Sequence, residues 1–577
     1  MALTRHNFLV LSALSVLLAG VVGAQSWTSS FTHYTCPVTG DTWPSAYISD
    51  LNPFLPAGAK AANLEDYESI ARHEDLCDLL EHITLRTPVT SEFARYVAAH
   101  KNLRSISITV PVDLDPGLLS LFAKSTTLKS IQLNGDVQPD CVSNLVACVG
   151  LTGVGLSGTI RPETVKAAAG LPNLWYLYVN VEEWTDDLAK SLGDCTSVRY
   201  LHVQGGVRVR SDQGLLETRG KVEAASWVAL RNLKNLSSLR TRNVPGLNGE
   251  AVRRIVEGKA MRMIDGGGTF APDDLKAVLA TPTLEVFRAG MLPPEATENV
   301  NLSDLLRPAK SLHTLHSVPA RMLDAGMRTL TQLRDLDVFG NNTDSGQLKA
   351  SLANLPPRLK RLTLSGIMSA DDVRAFETWP GRGACESIGL VLLVEARSQM
   401  GPALNVLNSF SSLRALSLHI ETADGVDLTA DVFRPLQSIK RLEYLQVGWL
   451  GRSVRTVLNT EAVSTIFKNS ALRSVELIGF SLKSVEFSKT GTGNLVSLSI
   501  HGCTDVSKSQ LLGLAESTVQ DLDISGFALR VDLSLLKALV EKAHRRLVVV
   551  PFSAFEDEAA SVRYLRSREY RCVVEDG

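Results

Sequence analysis

Leu472-x-x-Val475-x-Leu477-x-Gly479 is followed by Leu495-x-x-Leu498-x-Ile500-x-Gly502-Cys503, and then by Val519-x-x-Leu522-x-Ile524-x-Gly526. The phrase returns after 23 and then 24 residues. Such spacing is the mark of one structural unit used repeatedly, each copy covering the apolar side of the next. Within a copy, aliphatic residues at the fourth and sixth positions alternate with other types. That is the period of a strand buried on one side.

Working outward, first positions of the same phrase fall at Leu80, Leu103, Leu128, Leu151, Leu174, Val198, Leu236, Met261, Leu284, Leu312, Leu333, Leu359, Cys385, Leu413 and Leu442. With the three copies above, that makes 18, and a degenerate last strand is expected at 547–550. Most intervals lie between 21 and 30 residues. The exception is Val198 to Leu236, 38 residues, with its excess in the charged stretch 208–223. An insertion within 205–235 is therefore expected to loop out of the array.

The L-x-x-L-x-L core resembles that of the leucine-rich-repeat superfamily. The fullest copy, continuing as Cys503-x-x-Val506-Ser507, is similar to the ribonuclease-inhibitor-like and cysteine-containing branch. The resemblance covers residues 80–550 and implies an α/β solenoid (horseshoe), with a parallel β-sheet on the concave side and helices on the convex side. The family's ninth-position Asn or Cys occurs here only as Asn341 and Cys503, which argues against a uniform asparagine ladder. Glycine fills the eighth position at Gly135, Gly158, Gly205, Gly340, Gly366, Gly479, Gly502 and Gly526, as a tight turn after each strand would favour. Between strands, Pro162-Glu163, Thr185-Asp186-Asp187 and Pro272-Asp273-Asp274 are helix-start signals.

Composition sets outer bounds. Hydrophobic residues are 45% and charged residues 21%, so the chain folds. A net charge of −2 gives no overall pull toward nucleic acid. Arg5 and His6 precede an apolar run from Phe8 to Val22, with small residues before Gln25. Residues 1–24 thus read as a secretory signal peptide, too short for a comfortable membrane span. Residues 25–79 do not match the repeat and are expected to form an N-terminal cap, including a helical stretch at 64–80. Residues 551–577 are expected to form a C-terminal cap or tail. The expected location is secreted or at the extracellular surface. Two candidate disulfide pairs suit that route, Cys36 with Cys77 and Cys141 with Cys148, while Cys385 and Cys503 occupy inward positions.

No catalytic, metal or cofactor constellation emerges. His313-x-x-His316 lies on an expected strand, where the two side chains diverge. Asp265-Gly266-Gly267-Gly268-Thr269 lacks the lysine of a phosphate loop and falls at a repeat turn. Gly155-Leu156-Ser157-Gly158 has the wrong glycine spacing for a nucleophile elbow. Three sequons occur. Asn235 and Asn301 are glycosylation candidates, whereas Asn341 sits at the inward ladder position and is expected to be buried and unmodified.

The outward positions of the fifth to ninth copies carry the functional signal: Trp175, Tyr176 and Tyr178, then Arg199, Tyr200 and His202, then Arg240 and Arg242, Arg262, and Arg288. Adjacent parallel strands would gather these into one patch of residue types enriched at binding hot spots. Farther on, Glu443, Glu476, Asp521 and Asp523 turn the outward positions acidic. The expected function is binding of a protein or glycan ligand through the concave face. The alternative is a structural cell-surface or cell-wall component.

Overall fold

The alternation of the repeat produces one strand per copy, and parallel pairing places equivalent residues of successive copies side by side. A computed structural model of the chain describes residues 82–551 apart from 111–114, 206–208, 211–215, 218–220, 267, 289–300, 340–350, 395–396, 423–426, 450–455, 525–531 and 542–546. It also describes the short strands His33–Thr35, Thr42–Pro44, Ala61–Leu64 and Cys572–Glu575. Residues 1–24, read from sequence as a signal peptide, together with Cys36, Cys77, Leu80, Asn341 and the helical stretch expected at 64–80 beyond Leu64, lie outside the described residues.

Two compact units divide the chain, Met1–Val300 with Asp304–Ser317, and Asn301–Ser303 with Val318–Gly577. Each is an α/β solenoid of leucine-rich repeats. In the first, strands β1 (Ala61–Leu64), β2 (His82–Pro88), β3 (Ser105–Val110), β4 (Ser130–Val137), β5 (Gly153–Ile160), β6 (Tyr176–Val181), β7 (Tyr200–Gly205), β8 (Ser238–Arg242), β9 (Met263–Asp265), β10 (Val286–Arg288) and β11 (Thr314–Pro319) form one parallel sheet in sequence order. In the second, the order is β12 (Asp335–Phe339), β13 (Arg361–Met368), β14 (Ser387–Val394), β15 (Ala415–Thr422), β16 (Tyr444–Trp449), β17 (Ser474–Ile478), β18 (Ser497–His501), β19 (Asp521–Asp523), β20 (Leu547–Pro551) and β21 (Cys572–Glu575). Copies beginning at Leu333, Leu413 and Leu495 therefore share a sheet.

Register explains the core. Ile106, Ile131, Val154, Leu177, Leu201, Leu239, Ile264, Phe287 and Leu315 are successive partners across the first sheet. All hold the fourth repeat position and none is more than 1% exposed. Leu336, Leu362, Ile388, Leu416, Leu445, Val475, Leu498 and Leu522 do the same in the second unit. Every first position from Leu103 to Val519 is buried as well. Each such side chain contributes about 1.5–3 kcal/mol by leaving water. The thiols of Cys385 and Cys503 fill inward positions and donate to the carbonyls of Lys360 and Leu477 in the preceding copy. Burial pushes Cys385 up to about 12, so it stays a neutral thiol.

Helices or helical turns return the chain, and neighbouring ones pack on each other. The start signals operate as their chemistry dictates. Pro162 and Pro272 open helices Pro162–Ala169 and Pro272–Leu279, where no N–H is needed. Thr185 caps Asp186–Ser191 by accepting from Leu188 N at 3.2 Å. Ser507 and Gln510 form a reciprocal capping box. At the eighth position Gly479 and Gly502 follow their strands with φ of 76° and 59°, whereas Gly135 and Gly158, with φ of 120° and 109°, lie paired within β4 and β5 rather than in turns. At Gly158 a Cβ would lie 2.5 Å from the Gly135 carbonyl oxygen, so the close approach of these two strands requires glycine.

Four details add to the sequence reading. The first sheet starts earlier, because Ala61–Leu64 pairs with β2 inside the segment expected to be a cap. Its small and polar residues conceal the aliphatic phrase. The second sheet continues past residue 551 through β21. The insertion forms a two-stranded antiparallel ladder, Val209–Arg210 with Leu216–Glu217. Finally, Cys141 and Cys148 are separate buried free thiols, not a disulfide. They lie in Pro139–Ser143 and just after the helical turn Asn144–Ala147. Seven residues of helical rise place their Cα atoms about 10 Å apart, beyond the reach of a disulfide.

Leu498→Asp should abolish cooperative folding. The new carboxylate would be buried between Val475 and Leu522 without a partner, costing several kcal/mol. Circular dichroism melting of the purified variant checks this, and a melt equal to wild type would show that the register is wrong.

Candidate functional site

In the first unit, side chains at the third, fifth and seventh repeat positions stand on the sheet face opposite the buried fourth-position row. Parallel register arranges them in rows, about 4.8 Å from strand to strand. The third-position row runs Gly153, Tyr176, Tyr200, Ser238, Met263, Val286, Thr314. The fifth-position row runs Gly155, Tyr178, His202, Arg240, Asp265, Arg288, His316. Asn180, Gln204 and Arg242 form the seventh. Ahead of the strands, backbone hydrogen bonds link Trp175, Arg199, Ser237, Arg262, Glu285 and His313 in a leading row. The structure thus gathers all ten patch residues on five neighbouring strands and their leading ends.

The aromatic end is packed rather than open. The sequence reading has Tyr176, Tyr178 and His202 facing outward as contact surface. They stand on that face, yet are only 2%, 3% and 6% exposed. The cause lies in the glycine-bearing strand β5. A Cβ on Gly155 would lie 3.4 Å from Tyr178 Cδ1, so the ring rests against the space that glycine leaves. On its other side Tyr178 packs on His202 at 4.8 Å, and Tyr176 stacks on Tyr200 at 5.3 Å and 28°. Trp175 and Tyr200 close over this pair and stay half-buried. Accessible surface at this end therefore belongs to Trp175, Tyr200 and the exposed Arg199.

The arginine end is partly paired. Arg262 makes a two-point bond to Glu285, Nε to Oε1 and Nη2 to Oε2, both 2.9 Å. Arg240 Nε lies 3.3 Å from Asp265 Oδ2. Sequence reasoning missed both carboxylates as members of the patch. The available signal was positional, since Asp265 is the fifth residue of its copy and Glu285 the second. His202 is held neutral well below the usual histidine range, by burial first and then by Arg240 and Arg242. Its Nε2 is buried without a hydrogen-bond partner among the described residues.

Asn235 and Asn301 are both exposed at their turns. His313 precedes β11 while His316 lies on it, so the pair does not converge. Gly266 and Gly268 adopt φ of 102° and 70° in the turn after β9. Among the described residues, no group of three or more His, Cys, Asp or Glu side chains could hold a metal ion. None of the described helices is long and apolar enough to cross a membrane.

On the second unit's corresponding face the acidic groups are engaged. Asp335 pairs with Arg361 at 3.0 Å. Asp337 accepts from Ser365 at 3.0 Å. Glu476 Oε2 accepts from Tyr444 Oη at 2.6 Å and Gln446 Nε2 at 2.9 Å. Burial raises the Glu476 carboxyl above its ordinary range despite these bonds.

No family model matches the chain, and no curated protein does. Among solved structures, a leucine-rich-repeat protein of Leptospira interrogans is similar at 12% identity, over 85% of this chain and 99% of its own, with a TM-score of 0.31. The TLR13–ssRNA13 complex is similar at 14% identity, over 89% and 81%, with a TM-score of 0.39. The Toll–Spatzle complex of Drosophila gives 13%, 85% and 60%, with 0.32. At these identities and scores no residue-level correspondence follows, and the repeat register itself establishes the fold.

Tyr178→Ala should cost about 3 kcal/mol of stability, because it empties a packed site beside Gly155 and His202. Urea unfolding of the variant reads this directly. Acidification should also destabilise the first unit through His202. An unfolded histidine takes up a proton near pH 6.5, whereas folded His202 takes one only well below that. Stability is therefore complete above pH 6.5 and falls as the pH drops toward the folded value. Replacing His202 with Asn should flatten that limb by up to about 1.4 kcal/mol per pH unit. Urea midpoints of wild type and variant across this window make the comparison.

Proposed function

We propose that the chain is a secreted leucine-rich-repeat protein that binds another protein through the open sheet face of its first unit. The observation carrying this reading is the convergence of half-buried Trp175 and Tyr200, exposed Arg199, and the arginine row on five neighbouring strands. Tryptophan, tyrosine and arginine are enriched at binding hot spots because they offer large contact area and directed bonds at little conformational cost. Packing beneath them fixes Tyr176 and Tyr178, so the surface is rigid before contact. Five arginines against two carboxylates give this face a positive excess suited to steering an oppositely charged partner. Exposed sequons at Asn235 and Asn301 suit export, and both are proposed to carry glycans.

The test is affinity purification from culture medium with wild type and a Trp175→Ala, Arg199→Ala double variant. A stoichiometric soluble partner should bind the wild type and lose about 2–4 kcal/mol of affinity to the variant, which should still melt cooperatively and lose less stability than Tyr178→Ala. Retention of the wild type in an insoluble wall or matrix fraction, without such a partner, would favour the structural role instead.

A further inference from the structure

Along the fifth-position row, Arg240, Asp265 and Arg288 occupy adjacent strands in register. One carboxylate thus stands between two guanidinium groups. Asp265 Oδ2 lies 3.3 Å from Arg240 Nε, an ion pair. Arg288 Nε is shielded from solvent and has no hydrogen-bond partner among the described residues. That nitrogen has lost hydration without a matching bond, which is unfavourable until an anion arrives. At the other end of the row His202, 6% exposed, also has an unpartnered buried ring nitrogen. Burial first, and then the neighbouring Arg240 and Arg242, keep it uncharged, so the positive charge of the row rests on the arginines.

The row beside it is different in kind. Tyr200, Met263 and Val286 occupy third positions on β7, β9 and β10, each half-buried. Buried Ser238 on β8 lies between Tyr200 and Met263, so the half-buried apolar strip beside the arginine row consists of Met263 and Val286, with the Tyr200 ring reaching it across Ser238. Tyr200 is tied to this strip through its hydroxyl, 3.9 Å from Met263 Sδ. A partner that satisfies both rows places a carboxylate on Arg288 and apolar side chains on the strip.

We propose that the first unit's open face receives an acidic segment of a protein partner, laid across the strands, with a Glu or Asp carboxylate anchored by Arg288. The proposal rests on the reading of this face as the binding surface and adds the partner's chemistry. Asp265 on Arg240 is the internal precedent, since the partner's carboxylate would repeat that pairing one step along the row. A carboxylate on a planar guanidinium gains paired charge-assisted bonds. Sulfated or phosphorylated polymers would match the charge but leave the apolar strip unused.

The probe is a labelled oligo-glutamate peptide with interspersed leucines, followed by fluorescence anisotropy on the full chain at low salt. Binding should weaken about tenfold in Arg288→Gln, recover in part in Arg288→Lys, and decline as salt screens the charge. Thermal melts of both variants should match wild type. A peptide that does not bind, or binds Arg288→Gln as well as wild type, overturns the proposal. So does tight binding of a heparin fragment with none of the peptide. The natural partner separates the two readings. If Arg288→Gln leaves its affinity intact while the Trp175→Ala, Arg199→Ala variant loses it, the acidic anchor is wrong and the binding face stands. If neither variant loses it, the binding face falls as well.

Discussion

In-register parallel pairing of one strand per repeat is the constraint on which the rest of this protein depends. It makes the fourth-position residue of each copy the neighbour of the fourth-position residue in the next, so Ile106 to Leu315 and Leu336 to Leu522 become two unbroken apolar rows. No copy could bury its aliphatic side alone. A slip of one residue anywhere would turn that row out into water and bring polar residues in. The aliphatic spacing therefore determines register, and register determines the identity of every row on the opposite face.

That face is consequently as ordered as the core. Tyr178 meets His202, Arg240 meets Asp265, and Gln446 meets Glu476 because each pair shares a row. Function at such a surface needs no cavity. It needs adjacent strands that differ in size and charge in a useful order. On the first unit the order runs from glycine through aromatic rings to arginine. The glycines of β5 make room, the rings fill it, and the arginines beyond keep much of their charge. Where the second unit carries acids, serine, tyrosine, glutamine and arginine side chains take up much of their bonding capacity.

Departures from the regular repeat are local and have local causes. The long copy between Val198 and Leu236 keeps its place because Trp227 packs on Trp184 at 4.9 Å, with both indole N–H groups donating to backbone carbonyls. Asp186, at a helix start, accepts from Glu223 N and Ser226 Oγ, closing the insertion's far end onto the preceding copy. Those bonds hold its carboxyl below the ordinary range. The array thus tolerates a loop on one side while the strand ladder passes from β7 to β8 without a shift in register.

The sequence by itself determined the repeat, its strands, its buried positions and the ten residues gathered on one face, because period and alternation are local properties that parallel stacking must respect. It could place Tyr178 and Arg240 on the same row by counting alone. It could not say that Tyr178 is buried, since that depends on Gly155 one strand away and on how a ring tilts into the space left there. Nor could it assign Asp265 to Arg240 rather than to Arg288, because a carboxylate between two guanidinium groups is equidistant in register and is divided only by side-chain geometry. Cys141 and Cys148 looked close in sequence, and helical rise between them kept them apart. Tertiary structure decided these points because each is a matter of volume and direction between strands, quantities that a one-dimensional pattern does not contain.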